Sequence, residues 1–204
     1  MSQTYQTQAE PNSQNAPYSQ NEGREISKIQ IYRYVAKDKI LDITELLAFD
    51  PRRSKIAFTL VEFDDRNKAT QRVRHYVDES DMKLVCHDLL GGLFTSFDDE
   101  KGSSVTDTYG TGEVRTEARV LSLRKEAKYR QPYVLRIDNG LGEVYGQGQV
   151  KMVKATDSLT IQMPEWEARK MALVVRDYIQ GFELIHFRKR QDARTVTFTP
   201  GESR

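Results

Sequence analysis

Polar and apolar positions alternate in "KIQIYRYV" (28 to 35), where Ile29, Ile31 and Val35 interleave with Gln30, Tyr32 and Tyr34. That is the period of a strand with one buried face, and it sets Tyr32 and Tyr34 on the open one. "KIAFTLVEF" (55 to 63) is a second strand-like run. "TQRVRHYV" (70 to 77) is a third, with Val73, His75 and Val77 opposite Arg72, Arg74 and Tyr76. Between the first two lies "KILDITELLAFDP" (39 to 51). It fits a strand, while Asp42 followed three residues later by Glu45 fits a capping box and a helical turn, so both readings stand. "DESDMKLVCHDLLGG" (78 to 92) then brings Met82, Val85, Cys86, Leu89 and Leu90 to one helical face, with Gly91 suited to its end.

The second half follows the same order. "ARVLSL" (118 to 123) and "PYVLRI" (132 to 137) read as strands, Asn139-Gly140 as a hairpin turn, "GEVYGQGQVKMV" (142 to 153) as a long alternating strand and "DSLTIQM" (157 to 163) as a fourth. "PEWEARKMALVVRDYIQG" (164 to 181) is the strongest helix: Pro164 suits its first turn, Glu165 and Glu167 complement its dipole, and Gly181 suits its end. Ala168, Met171, Ala172, Val175 and Ile179 form its apolar stripe. "FELIHF" (182 to 187) and "RTVTFT" (194 to 199) read as short strands. The expected class is α+β: two units of about four antiparallel strands followed by a helix, with curved sheets.

Composition divides the chain further. Residues 1–26 are rich in Gln, Ser, Asn and Pro, too polar to offset the entropy of ordering, and read as a disordered tail. Residues 27–95 form the first unit and 114–190 the second. Between them, 96–113 have the Gly, Ser, Thr and Asp content of an acidic linker or loop, and 191–204 read as a C-terminal strand and tail.

With 31 Lys and Arg against 30 Asp and Glu, the formal charge of +1 excludes a protein that coats nucleic acid with uniform positive charge. The balance is uneven, however: residues 112 to 154 hold nine basic side chains against five acidic ones. No apolar run approaches the roughly 20 residues of a membrane helix, and the N-terminus lacks the pattern of a signal peptide. One cysteine, Cys86, permits no internal disulfide. An intracellular place follows as the expectation, cytoplasmic or nucleoid-associated, with no membrane partner.

Glycines 140, 142, 146 and 148 raise the question of a phosphate loop, but they fall in a hairpin and a strand, whereas a dinucleotide fingerprint opens a helix. In a strand, Gly146 and Gly148 share a face with Val144, Val150 and Met152, which permits curvature or close approach. Tyr145, Gln147, Gln149 and Lys151 share the other. Together with Arg72, Arg74 and Tyr76, with Tyr32 and Tyr34, and with Arg136, they interleave rings, cations and amides. Single-stranded nucleic acid binds such surfaces, because a ring stacks on any base while Arg and Lys meet phosphates. A solvated sheet face and a protein interface, including that of a homo-oligomer, are the other readings of these residues.

Catalytic chemistry finds no support. His75, His87 and His186 show no metal-ligand spacing, and His75, between Val73 and Val77, suits a core imidazole. Cys86 suits a small core residue and Trp166 a packing anchor. No catalytic residue, metal or cofactor is expected, and the chain reads as a non-enzyme.

In "DSLTIQMPEWEARKMALVVRDYIQGF" (157 to 182), a Ser-Leu-Thr strand running into a Glu-Trp helix start resembles the last strand and helix of the coactivator positive cofactor four, and "RDYIQGF" resembles the end of a Pur repeat helix. The order of elements over 27 to 188 resembles that of the Whirly proteins. The resemblance implies two strand-and-helix units assembled into a binder of single-stranded DNA or RNA. It carries no residue-level motif, so the binding residues named above rest on face assignment.

Overall fold

The computed structural model describes residues 29–106, 114–145 and 149–194. Strands β1 (Gln30–Val35), β2 (Lys39–Leu46), β3 (Lys55–Phe63) and β4 (Ala69–Asp78) pair antiparallel in chain order as a first sheet, followed by helix α1 (Glu79–Gly91). Strands β5 (Ser96–Thr106), β6 (Val114–Lys125), β7 (Tyr133–Tyr145) and β8 (Gln149–Met163) form a second such sheet, followed by α2 (Glu165–Ile185) and a short α3 (Phe187–Arg194). Four strands and a helix, twice, is the expected order.

Several elements differ from their sequence reading. Of the two readings of 39–51, the strand holds over 39–46 as β2, because Leu41 and Ile43 reach the core from every second position; the elements that follow differ. The linker expected over 96–113 is strand β5 up to Thr106, paired with β6 from Ser96↔Arg124 to Thr106↔Val114. Its acidic residues hid it, since each meets a cation or a backbone donor instead of solvent alone. Asn139-Gly140 is no turn: β7 runs through it to Tyr145, and "GEVYGQGQVKMV" is divided between β7 and β8. The count of four strands therefore holds with different members. "FELIHF" is helical, as α2 continues through Gly181 to Ile185, and 191–194 belong to α3. At the end of α1 it is Gly92, with φ 74, that takes the left-handed conformation, one residue later than Gly91. The tail over 1–26 and the run 195–199 lie outside the described residues.

The two sheets and two helices share one apolar core. Ile56, Phe58, Leu60, Val73 and Val77 enter from the first sheet, Leu121, Leu123, Leu135, Ile137 and Ile161 from the second. Met82, Val85, Cys86 and Leu89 of α1 and the whole predicted stripe of α2 close it. Each Val, Leu, Ile, Phe or Met among them contributes roughly 1.5–3 kcal/mol on burial.

The second sheet curls at its far end. The pairing of β7 with β8 shifts register at Asn139/Gly140 and again at Leu141/Gly142, and such bulges bend a strand. A Cβ on Gly140 would stand 2.0 Å from the Lys154 carbonyl oxygen, and Val150 lies over Gly102 and Gly142. The Met152 N–H donates to Glu100 Oε1 at 2.5 Å, so the edge strands β5 and β8 approach each other across the concave face without closing a barrel. Gly140 and Gly142 thus serve close approach, a role the sequence reading gave to Gly146 and Gly148, which lie outside the described residues.

Candidate nucleic-acid interface

β4, the edge strand of the first sheet, lies across the four strands of the second in turn. Asp78 receives the Lys101 ammonium of β5, and Tyr76 has the Arg119 guanidinium of β6 at 5.7 Å from its ring centroid. With its amide turned to donate, Asn139 of β7 gives an N–H to the Arg74 carbonyl at 3.2 Å. Gln71 donates to Asp157 of β8 at 3.3 Å. Lys101, Arg119 and Asn139 stand directly opposite one another across β5, β6 and β7, with Asp157 paired to Asn139, so one row of the second sheet holds the edge of the first. The Asn139 contact occupies one of the backbone groups that this edge strand would otherwise leave free.

Beside this seam opens a cleft of about 310 Å³, lined by Lys55, Tyr76, Lys101, Gly102, Glu117 and Arg119 among others. Its floor is a chain of charged contacts. Lys55 and Lys101 both meet Asp78, Lys101 also lies 3.3 Å from Asp99, and Asp99 is 2.8 Å from His75 Nε2. His75 is fully buried, as its place between Val73 and Val77 predicts, and its Nδ1 has no partner among the described residues. Burial pushes the Asp99 carboxyl up, but the His75 hydrogen bond and charge, with Lys101, outweigh it and hold the group below its ordinary value. Burial pushes the Lys55 ammonium down, and Lys101 adds to that shift.

The sequence-derived residues fall in four places. Arg72, Arg74 and Tyr76 share the β4 face that borders the cleft. Arg72 is exposed, while Arg74 donates from Nε to Thr59 Oγ1 at 2.9 Å. Tyr145, Gln149 and Lys151 stand together at the far end of β7 and β8, all exposed, with the Lys151 ammonium 4.8 Å from the Tyr145 ring. Tyr145 pairs with Gln149 and Val144 with Val150, so this group faces away from Val150 and shares the side of the sheet that carries Lys101 and Arg119. Arg136 is on the other side, paired with Asp138 at 2.9 Å beside Ser122 and Thr160. Tyr32 and Tyr34 point inward. Tyr32 is buried and donates to Glu167 of α2, and Tyr34 donates to the Gln162 carbonyl at 3.3 Å. A bulge between Gln30 and Tyr32 and the pull of these two acceptors invert the expected sidedness, leaving Val35 exposed. Gln147 lies outside the described residues.

Sequence reasoning missed Arg119, Lys101 and Lys55. Arg119 carried a signal: it shares the face of Leu121 and Leu123, where a cation implies a second surface opposite. Trp166, read as a packing anchor, is instead 64% exposed, with the Lys170 ammonium 5.8 Å from its ring. Cys86 is a core residue, and burial pushes its thiol up to about 12. No helix among the described residues is long and apolar enough to cross a membrane.

Two four-stranded antiparallel sheets, each followed by a helix, with the edge of one laid across the face of the other, define an α+β fold of paired units. That fold is Whirly-like. The crystal structure of WHY1 from Arabidopsis thaliana matches it with a TM-score of 0.50 at 8% identity, over 81% of this chain and 93% of that one. The structure of the plant transcriptional regulator PBF-2 matches with a TM-score of 0.46 at 8% identity, over 78% and 85% of the two chains. No family model and no curated protein matches the sequence.

Proposed function

We propose that this chain binds single-stranded nucleic acid, DNA in preference to RNA, as a non-enzymatic intracellular protein with little sequence preference. The observation that carries the reading is the Tyr76–Arg119 pair at the mouth of the cleft, with Arg72 exposed on the same strand. Bases stack on aromatic rings and on guanidinium planes. In this reading Tyr76, Arg119 and Tyr145 take bases, Arg72, Arg74 and Lys151 meet phosphates, and Gln149 supplies amide contacts, joined by its sequence neighbour Gln147. Tyr32 and Tyr34 leave the contact set because they face inward, and Arg136 leaves it because it lies on the opposite side.

Fluorescence anisotropy with labelled single-stranded DNA, single-stranded RNA and duplex DNA of equal length, across a salt series, tests the reading. Salt-sensitive preference for the single strands is expected, with DNA bound more tightly than RNA. Replacing Arg72 and Arg74 by Ala lowers the salt slope by about 0.7 for each phosphate that is no longer neutralised. Failure of all three probes to bind at low salt overturns the reading.

One observation favours a second reading, a homo-oligomer assembled through the same face. Leu141, on the same side of β7 as Tyr145, is exposed. Light scattering decides: an oligomer that dissociates on Tyr145→Ala, from a chain that binds no oligonucleotide, supports assembly instead.

A further inference from the structure

A groove of about 500 Å³, separate from the cleft, lies between the start of β1, the end of β2 and the last turns of α2. Ile29 and Glu45 line it from the sheet, and Tyr178, Phe182, Ile185 and His186 line it from the helix. The Tyr178 hydroxyl donates to Glu45 Oε2 at 2.6 Å, which ties the two sides together. The His186 ring packs 4.6 Å from that of Phe182 and 5.2 Å from that of Phe49. Two apolar side chains of the groove nevertheless stand open, Ile29 at 52% and Ile185 at 79% exposure.

Glu45 narrows what can fill it. It follows Leu41 and Ile43 on the inward side of β2, so a carboxylate ends an apolar row. Its side-chain hydrogen bond comes from a neutral phenol, and among the described residues no cation pairs with it. The groove therefore calls for an occupant with an apolar side chain and a positive charge.

The chain supplies such a segment at the groove's own mouth. Ile29 is the first described residue, and its carbonyl accepts from the Glu45 N–H at 3.0 Å, so the residues before it leave from the groove wall. They read "REISK" (24 to 28): Ile26 is apolar, and Arg24 and Lys28 outweigh Glu25. The length fits as well. Five extended residues reach about 16 Å, while the helix wall from Tyr178 to Ile185 runs about 10 Å at about 1.5 Å per residue.

We infer that residues 24–28 dock in this groove, Ile26 against Ile185 and Lys28 beside Glu45, so that the N-terminal segment straps β1 to the end of α2. The inference stands apart from the proposed function, because the groove shares no residue with the cleft.

Ile26→Cys combined with Ile185→Cys in the full chain tests the contact. An intramolecular disulfide is expected under mild oxidant, since a bridge needs Cβ atoms about 3.5–4.5 Å apart, and Cys86, buried in the core, does not compete. Thermal melts give a second reading. An open side chain tolerates substitution, whereas a covered one does not. Ile26→Ser and Ile185→Ser are each expected to lower the midpoint by about 2–4 °C, and the double variant by little more than either, because the two remove one shared contact. The inference is overturned if no disulfide forms, if the disulfide joins two chains, or if both serine variants melt with the unaltered chain. Pairing of Ile185→Cys with Phe198→Cys of the C-terminal segment, in place of Ile26→Cys, overturns it too.

Discussion

Gly140→Ala places a methyl group where β8 crosses β7. The new carbon would lie 2.0 Å from the Lys154 carbonyl oxygen and 2.8 Å from Ala155 Cα, where ordinary contact begins at 3.4 Å. Both obstacles are backbone, so no side chain can turn aside, and the bulge has to open by about an ångström or more. Overpacking costs about 1–3 kcal/mol, and a backbone obstacle puts this site at the upper end. The reduced entropy of the unfolded chain returns about 0.4–1 kcal/mol. A net loss of ~2 kcal/mol lowers the midpoint of thermal unfolding by ~4–8 °C in a chain of this size. Gly181→Ala is the matched control, since a Cβ there meets nothing within 4 Å inside α2. It removes a helix glycine and raises the midpoint by ~1–4 °C. Calorimetry or circular dichroism melts of the two variants read both signs. A Gly140→Ala protein that melts at or above the unaltered one, beside a Gly181→Ala protein that behaves as expected, refutes the register shift and with it the curl of the second sheet.

Three further outcomes follow from buried contacts. Glu79→Ala strands Arg190, whose guanidinium donates to both Glu79 oxygens at 2.8 Å with each side chain 4% exposed, and costs about 3–5 kcal/mol in urea unfolding, most of which returns when Arg190→Met is added. Asp99 has its folded pKa lowered, so its contribution to stability is full above the ordinary carboxylate pKa of about 3.9 and is lost as pH falls through the folded value. Urea midpoints followed from neutral pH down through that value should therefore drop more steeply in the unaltered chain than in Asp99→Asn. Tyr32→Phe leaves the buried Glu167 without its hydroxyl donor and costs about 1–3 kcal/mol of stability with no change in oligonucleotide affinity. Tyr145→Ala does the reverse, and a Tyr32→Phe protein that binds more weakly at full stability would return Tyr32 to the contact surface.

Legibility in the sequence followed the sign of the side chains. Where apolar residues kept a helical or alternating period, as in β3, β4 and the α2 stripe, pattern and structure agree, because burial of those residues is what the period records. β5 was illegible because its inward positions at the seam are Asp99 and Lys101, charged residues whose partners His75 and Asp78 come from the other sheet. A charge satisfied by a distant partner looks, in one dimension, like a charge satisfied by water. Tyr32 fails for the same reason in mirror image: its partner Glu167 is 135 residues away, and only that acceptor makes the inner face the better place for a phenol. The candidate site inherits this limit. Tyr76 was readable because Val73, His75 and Val77 fix the sidedness of its own strand, but Arg119, which makes Tyr76 one wall of a cleft, becomes a site residue only once β4 is laid across β6. Lone residues on an otherwise apolar face, Arg119 beside Leu121 and His75 beside Val73, are thus the positions at which a sequence of this kind marks the meeting of two sheets.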